Sequence, residues 1–318
     1  MLEQLQAQVR EAMASGRSFE IRGHGSKAFY GEAPRGEPLS TLALTGISAY
    51  EPSELYVTVK AGTPIAELEA ALAAQGQCLA FEPPRFKGQG TVGGMVAAGL
   101  SGPARASSGS LRDHLLGATL LNGKGELLNF GGTVMKNVAG YDVARLLAGS
   151  MGLLGLIVEV SLKVLPLPVA TATLRFDLSE REALATLNRW GGQALPISAS
   201  AWWDEALVLR LSGAEAAVRA AMQKLGGDLI EEQMAAPFWA GLRDQRDEFF
   251  AGAERAVAGG ARLWRLSVPS TAQPLKLGGE QLIEWGGAQR WVASAAVPAL
   301  FREAAQAVGG HATLYRAL

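Results

Sequence analysis

The sequence predicts an α+β protein of two domains, and three observations predict it. Its 318 residues exceed the roughly 100 to 200 typical of one domain. Residues 1–168 alternate short apolar runs with helical patterns and glycine-rich turns. Residues 169–318 interleave strands and helices with hairpin signals, which reads as an antiparallel sheet with helices on one face.

Leu2 to Ser15 opens the chain as an amphipathic helix. Strand patterns follow at Phe19–Ile21, Leu42–Leu44, Leu55–Lys60, Gly117–Asn122 and Leu153–Val164. A helix runs from Pro64 to Gln75, with the proline in the first turn, where its missing N–H costs nothing. A short helix at Val143–Leu147 has Asp142 as its candidate N-cap. Leu165-Pro-Leu-Pro168 reads as a linker, because two prolines in four residues stop both a helix and a central strand. Beyond it come a strand at Thr171–Phe176, a capping box at Ser179-Glu-Arg-Glu182 with a helix to Trp190, and strands at Ala199–Trp203 and Ala206–Leu211. A helix at Ala214–Leu225, a helix opened by Pro237, strands at Leu263–Val268, Leu282–Trp285 and around Trp291, a Gly286-Gly287 turn and a helix near Val297–Val308 complete the chain.

Composition narrows the function. With 29 basic and 30 acidic residues, net charge −1, nothing points to nucleic acid or an anionic membrane as main partner. One cysteine, Cys78, excludes an internal disulfide framework and suits a reducing cytoplasm. The three histidines, His24, His114 and His311, are too scattered for a zinc site, so no metal is expected. No apolar run reaches the roughly 18 residues of a membrane span, and the N-terminus lacks the basic-then-apolar pattern of a secretory leader; any membrane association would be peripheral.

The informative feature is a series of glycine-rich segments. Arg22-Gly23-His24-Gly25-Ser26-Lys27 matches the dinucleotide pattern G-x-G-x-x-A through Ala28, but that pattern must open a helix, and Gly31, Pro34, Gly36 and Pro38 follow at once. What remains is a tight loop flanked by two cations, either a nest of N–H groups for a pyrophosphate or a surface turn. Gly88-Gln-Gly90-Thr91-Val92-Gly93-Gly94 and the run through Ala97, Gly99 and Ser101 to Gly102 permit a second close approach of backbone to ligand, or form a loop kept small for packing. Gly109, Ser110 and Asp113 continue that surface. Lys136-Asn137 and Tyr141-Asp142 carry catalytic residue types, although a helix cap and turn explain them without chemistry. His24 and His114 lack a local ligand partner and read as surface or core-bonded imidazoles. All seven tryptophans lie beyond residue 168; a core role is the default, and some are expected at a subunit interface.

In order, Thr91-Val-Gly-Gly94, Gly109-Ser-Leu111, Leu116-Gly117, Gly131-Gly132, Lys136-Asn-Val-Ala-Gly-Tyr-Asp142, Arg145-Leu-Leu, Gly149-Ser150, Leu154-Gly-Leu-Ile157 and Pro166-Leu-Pro168 resemble the FAD-binding domain of the vanillyl-alcohol oxidase and p-cresol methylhydroxylase superfamily. Within it they resemble the D-lactate and glycolate dehydrogenase branch. Trp264-Arg-Leu-Ser-Val-Pro269, Trp285-Gly-Gly-Ala-Gln-Arg-Trp291 and Gly309-Gly-His-Ala-Thr-Leu-Tyr315 extend the likeness to the FAD-binding subunits of bacterial glycolate oxidase complexes.

The resemblance implies a two-subdomain PCMH-type FAD-binding domain over 1–168 and an α+β cap domain over 169–318. It implies a subunit that works with a catalytic flavin subunit and an iron–sulfur subunit, in a complex oxidising glycolate to glyoxylate and passing electrons to the respiratory chain. Arg22 to Lys27 would be the pyrophosphate loop. Gly88 to Gly94, with Ala97, Gly99 and Ser101, would line the other side of the phosphates and the ribityl chain. Gly109, Ser110, Asp113, Gly149, Gly155 and Ile157 would hold the isoalloxazine and adenine ends. Relatives with covalent flavin place a histidine where Ser26 stands, so FAD is expected without a covalent link. Catalytic relatives carry a base after the proline matching Pro269 and a second histidine after the one matching His311; here Ser270 is neutral and Ala-Thr-Leu-Tyr follows His311. A carboxylate clamp and a base for 2-hydroxy acid oxidation are therefore not expected from this chain alone. Two alternatives stand beside this reading: a free-standing FAD-dependent 2-hydroxy acid dehydrogenase, and a non-catalytic assembly module that has lost its flavin. The chain ends at Leu318, before the Pro-Gly-containing tail that closes this fold against the flavin in relatives, which leaves full flavin affinity open.

Overall fold

The computed structural model describes residues 1–86, 88, 90–133 and 141–318, which divide into two compact units: 1–101 with 109–167, and 102–108 with 168–318. The catalytic reading of Lys136-Asn137 falls outside the described residues.

The first unit begins with α1 (Leu2–Ser15), β1 (Phe19–Arg22) and β2 (Glu37–Ser40), the two strands pairing in parallel. Its main sheet comprises β3 (Ile47–Glu51), β4 (Tyr56–Lys60), β6 (Leu115–Leu121), β7 (Leu127–Gly131) and β8 (Leu156–Lys163), in the antiparallel order β3-β4-β8-β6-β7. Helices α2 (Ile65–Ala73), α3 (Val92–Ala98) and the single-turn α5 (Leu111–His114) complete it. A two-residue pair, β5 (Gln77–Cys78) with β9 (Leu165–Pro166), gives the expected linker a partner. Strand β8 is buried almost throughout because it serves two cores. Ile157, Val160 and Leu162 pack with Leu68, Leu72, Met95 and Val96, while Leu156 and Val158 pack with Leu5, Val9, Leu39 and Leu44.

Several sequence expectations shift here. The strand read at Leu42–Leu44 is a turn, and the pairing residues are Glu37 to Ser40. The strand read from Leu153 begins at Leu156, after a turn in which Gly149, Met151, Gly152 and Gly155 all take positive φ. The expected loop at 91–99 is α3: Thr91 caps it, its side chain accepting from Gly94 N–H, and Gly99 closes it in a left-handed conformation. Glycine-rich composition hid this helix, and burial of Val92, Met95 and Val96 outweighs the poor propensity.

The second unit holds the single-turn α4 (Arg105–Ser108) and an eight-stranded antiparallel sheet. Its strands are β10 (Ala170–Asp177), β11 (Ile197–Trp203), β12 (Ala206–Gly213), β13 (Asp228–Ile230), β14 (Arg262–Ser267), β15 (Glu280–Glu284), β16 (Gln289–Ser294) and β17 (His311–Arg316), in the order β13-β10-β12-β11-β15-β16-β14-β17. Helices α6 (Glu180–Gly191), α7 (Glu215–Leu225), α8 (Glu232–Asp244), α9 (Glu248–Ala258) and α10 (Pro298–Ala307) cover both faces, not one. Leu174 packs with Leu184, Leu187 and Val218 of α6 and α7. The adjacent Thr173, which must point to the opposite face, accepts from Trp239 Nε1 of α8 at 3.0 Å. Trp264 and Val292 pack with Phe301 of α10, whereas Trp291 meets Phe250 of α9 edge-on with centroids 5.2 Å apart. Helix α9 is an addition to the elements expected from the sequence, and it supplies part of the second face. Pro237 lies inside α8 rather than opening it, removing one intrahelical hydrogen bond.

The tryptophans follow the core default. Trp190, Trp202, Trp239, Trp264 and Trp291 are buried; Trp203 and Trp285 are half-buried, each with its indole N–H bonded inside the unit.

Candidate cofactor site

All the candidate binding residues lie in the first unit, and α3 is what gathers them. At its N-terminal end, the loop after β1 lies against Thr91 so closely that a Cβ on Gly23 would overlap the threonine Oγ1. Gly25 turns at φ +70°, with the Arg22 guanidinium folded over it. Among the described residues, none of the backbone N–H groups of Gly23, His24, Gly25, Ser26 and Lys27 has an acceptor. Five consecutive donors without acceptors in a half-exposed loop are available to an anion.

Lys27 adds charge to that array. Its ammonium lies 5.5 Å from the Phe86 ring centroid, and Phe86 in turn meets Phe29 edge-on at 5.3 Å. Burial pushes the Lys27 pKa down to about 8, and no carboxylate among the described residues pairs with it. A lysine desolvated without a counter-ion is stabilised by an anionic ligand. Phe29 and Phe86 were absent from the sequence reading, since nothing in their spacing joins them to Lys27. Phe86 holds φ +45°, a conformation rare for an aromatic residue.

The N–H groups of α3 are used differently. Val92 donates to Thr63 O at 2.9 Å, Gly93 to Ala61 O at 2.7 Å and Gly94 to Thr91 Oγ1 at 3.3 Å. A Cβ on Gly93 would lie 2.7 Å from that of Ala61, so its bareness serves helix-on-strand packing, while one on Gly94 would meet only Thr91 Oγ1, at 3.1 Å. Gly90 accepts from Ile65 N–H and is packed on that side chain. Gly88 has open space where a side chain would be.

At the other end of α3, Gly149 donates to Val96 O at 3.0 Å and Met151 to Ala97 O at 2.9 Å. Gly99 faces Gly149, whose own side-chain direction is open. Ser101 Oγ accepts from Leu111 N–H at 3.0 Å, and Asp113 Oδ2 accepts from both the N–H and the hydroxyl of Ser110 at 2.8 Å, with Gly109 against it. The structure thus gathers 23–27, 91–101 and 149–151 around one helix and ties Ser101 to Leu111. Gly155 is packed on Leu121 O and Ile157 is core; neither side-chain direction faces solvent.

The remaining polar candidates are dispersed. His114 is buried, its Nδ1 3.3 Å from Lys163 O, a core-bonded imidazole. Asp142 Oδ1 accepts from Arg145 N–H at 3.4 Å and pairs with its guanidinium at 3.0 Å. His311 is exposed on β17, in register with Ser267. Among the described residues no group of three His, Cys, Asp or Glu side chains could hold a metal. Nor is any described helix long and apolar enough to cross a membrane.

The FAD binding domain family matches residues 2–131. Glycolate oxidase subunit GlcE of Escherichia coli (strain K12) is 46% identical over 310 residues, spanning 98% of this chain and 85% of that protein. The chain belongs to the glycolate oxidase subunit GlcE family. More distant relatives include a D-lactate dehydrogenase of Anaerostipes hadrus, 32% identical over 44% of this chain and 29% of that protein. Glycolate oxidase subunit GlcD of Bacillus subtilis (strain 168) is 30% identical over 48% of this chain and 33% of that one. A solved alkyldihydroxyacetonephosphate synthase superposes with a TM-score of 0.70, covering 98% of this chain and 70% of that one; at 14% identity it shows the fold alone, an α+β fold of the PCMH-type FAD-binding kind.

FAD is the cofactor of this family. The residues present fit it. A dinucleotide needs donors and positive charge at its pyrophosphate, and the loop supplies five unpaired N–H groups, the Ser26 hydroxyl and the unpaired Lys27.

Proposed function

We propose that this chain is the FAD-carrying subunit of a glycolate-oxidising complex. The complex converts glycolate, and D-lactate as a second substrate, to the 2-oxo acid and passes electrons to the respiratory chain. The observation that carries this reading is the 46% identity to a glycolate oxidase subunit across 98% of the chain. The unsatisfied amide loop with its unpaired lysine adds support from the structure.

FAD supplies the two-electron acceptor chemistry when bound. The chain's own residues bind and orient it. Gly23 to Lys27 hold the pyrophosphate, Lys27 neutralises its charge, and Phe86 keeps water from the ammonium. The open backbone at Gly88, Gly94 and Gly149 leaves room for the rest of the cofactor beside α3, with Ala97, Gly99 and Ser101 along the same edge. Gly109, Ser110 and Asp113 shape the neighbouring turn. With Ser26 in the loop, FAD is held without a covalent bond. A catalytic flavin subunit and an iron–sulfur subunit are the partners, and the complex works at the inner face of the cytoplasmic membrane.

Oxidation of a 2-hydroxy acid requires a cation for the carboxylate and a base for the hydroxyl proton. The exposed His311 opposite Ser267 does not make such a pair. The test is turnover of glycolate with an artificial acceptor by the purified chain, alone and recombined with the two partner subunits. Activity in the recombined complex only is the expected result. Turnover by the single chain, abolished by His311→Ala, would instead make it a free-standing 2-hydroxy acid dehydrogenase.

A further inference from the structure

The segment Gly102–Ser108 belongs to the second unit by its packing, although the chain on both sides of it belongs to the first. Its base is closed by the Ser101–Leu111 hydrogen bond. Its body is held by residues from far along the chain. Trp285 Nε1–H donates to Gly102 O at 3.0 Å, and the Arg105 guanidinium lies 4.5 Å from the Trp285 ring centroid. Ser107 Oγ completes the attachment by donating to Ser198 O at 2.8 Å.

Trp285 takes φ +54°, a left-handed conformation that a bulky side chain adopts only where its surroundings over-determine it. Here Gly286 N–H donates to Ser200 Oγ at 3.0 Å and Ala288 N–H to Trp285 O at 3.2 Å. Strain of this sort is kept where it sets a geometry that matters. The residues flanking the held segment are Ala97, Gly99 and Ser101 before it and Gly109, Ser110 and Asp113 after it, all candidates for lining FAD.

We infer that Trp285 is a positioning residue for the cofactor: by clasping Gly102 and Arg105 it orders the chain on both sides of 102–108, and so presents residues 97–101 and 109–113 in their FAD-binding arrangement. Trp285 acts through Gly102 and Arg105. The inference rests on the FAD placement proposed above.

The test uses the full chain in two measurements, FAD titration and amide hydrogen exchange of the FAD-free protein. The variants are Trp285→Leu, Arg105→Ala and Arg105→Lys; Arg105 is exposed, so its replacement leaves folding intact. Trp285→Leu and Arg105→Ala are expected to weaken FAD binding about tenfold, about 1.4 kcal/mol, and to speed exchange at 97–101 and 109–113. Arg105→Lys, which keeps the cation over the ring, is expected to restore both. Unchanged exchange at the two flanks in Arg105→Ala and Trp285→Leu overturns the inference, whatever the affinity does. A Lys27→Met control separates the two claims: if it binds FAD as the unaltered chain does, the loop placement fails, and flank exchange alone decides the clasp.

Discussion

Gly23 rests directly on Thr91: the loop that follows β1 is seated on the residue that caps α3, with no room between them for a Cβ. This contact holds the five unpaired N–H groups of the loop beside the helix start without using the helix's own amides, which are taken by Thr63, Ala61 and Thr91 itself. Gly23→Ala is expected to lift the loop, lowering FAD affinity at least tenfold and stability by about 1–3 kcal/mol as overpacking does. FAD titration and a melting curve check it; wild-type affinity would show that the loop does not need this seat.

Gly93 and Gly94 are expected to behave differently although they are neighbours. Gly93→Val drives a branched side chain into Ala61, 2.7 Å from where the first added carbon would sit, and should lower the melting temperature with or without FAD. Gly94→Val meets only the Thr91 hydroxyl and should reduce FAD occupancy while the FAD-free melting temperature stays near wild type. Equal effects of the two on FAD-free stability would refute this division.

Lys27 is expected to make cofactor binding pH-dependent. Its pKa of about 8 lies below the ordinary 10.5 because burial disfavours the charged form. In the FAD-free chain the folded state therefore loses the proton before the unfolded state does. Lys27 accordingly opposes folding most fully below pH 8, and that penalty is relieved as pH rises from 8 toward 10.5. FAD affinity runs the other way, since only the protonated lysine neutralises the pyrophosphate, and should fall as pH rises through about 8. Lys27→Met should bind FAD more weakly at pH 7 and flatten the profile; an unchanged profile would remove Lys27 from the site.

FAD should leave on denaturation. Acid precipitation is expected to give a yellow supernatant and a colourless pellet, because Ser26 offers no tethering nitrogen. Flavin fluorescence that stays with the protein band on a denaturing gel is the contrary result.

Arg290 shows what a buried charge does in the second unit. It is fully buried and donates to Gly287 O at 3.3 Å, Gln273 O at 3.0 Å and Ala272 O at 2.6 Å, with Glu180 3.7 Å away. Arg290→Ala strands three carbonyls and a carboxylate and should cost about 3–5 kcal/mol. Chemical denaturation measures it, and a loss below 1 kcal/mol would mean that water replaces the guanidinium.

The sequence by itself determined whatever rests on local chemistry. The capping box at Ser179 and Glu182 forms as read, because both of its hydrogen bonds join residues three apart. The helix at Leu2–Ser15 ends where Gly16 accepts a left-handed conformation. The order of the glycine segments carried the FAD-binding family, since small residues recur where backbone must come close to something. What that something is at each glycine, only the tertiary structure decided. Gly93 meets Ala61, Gly99 meets Gly149, and the amides of the loop after Arg22 meet no acceptor among the described residues, distinctions that depend on atoms distant in sequence. Helix α3 was hidden because its glycines give a poor local preference that burial against the sheet overrides. The tryptophans went inward, and α9 closed a second face of the sheet, because burial is a property of the whole packed unit and leaves no mark on residue type alone.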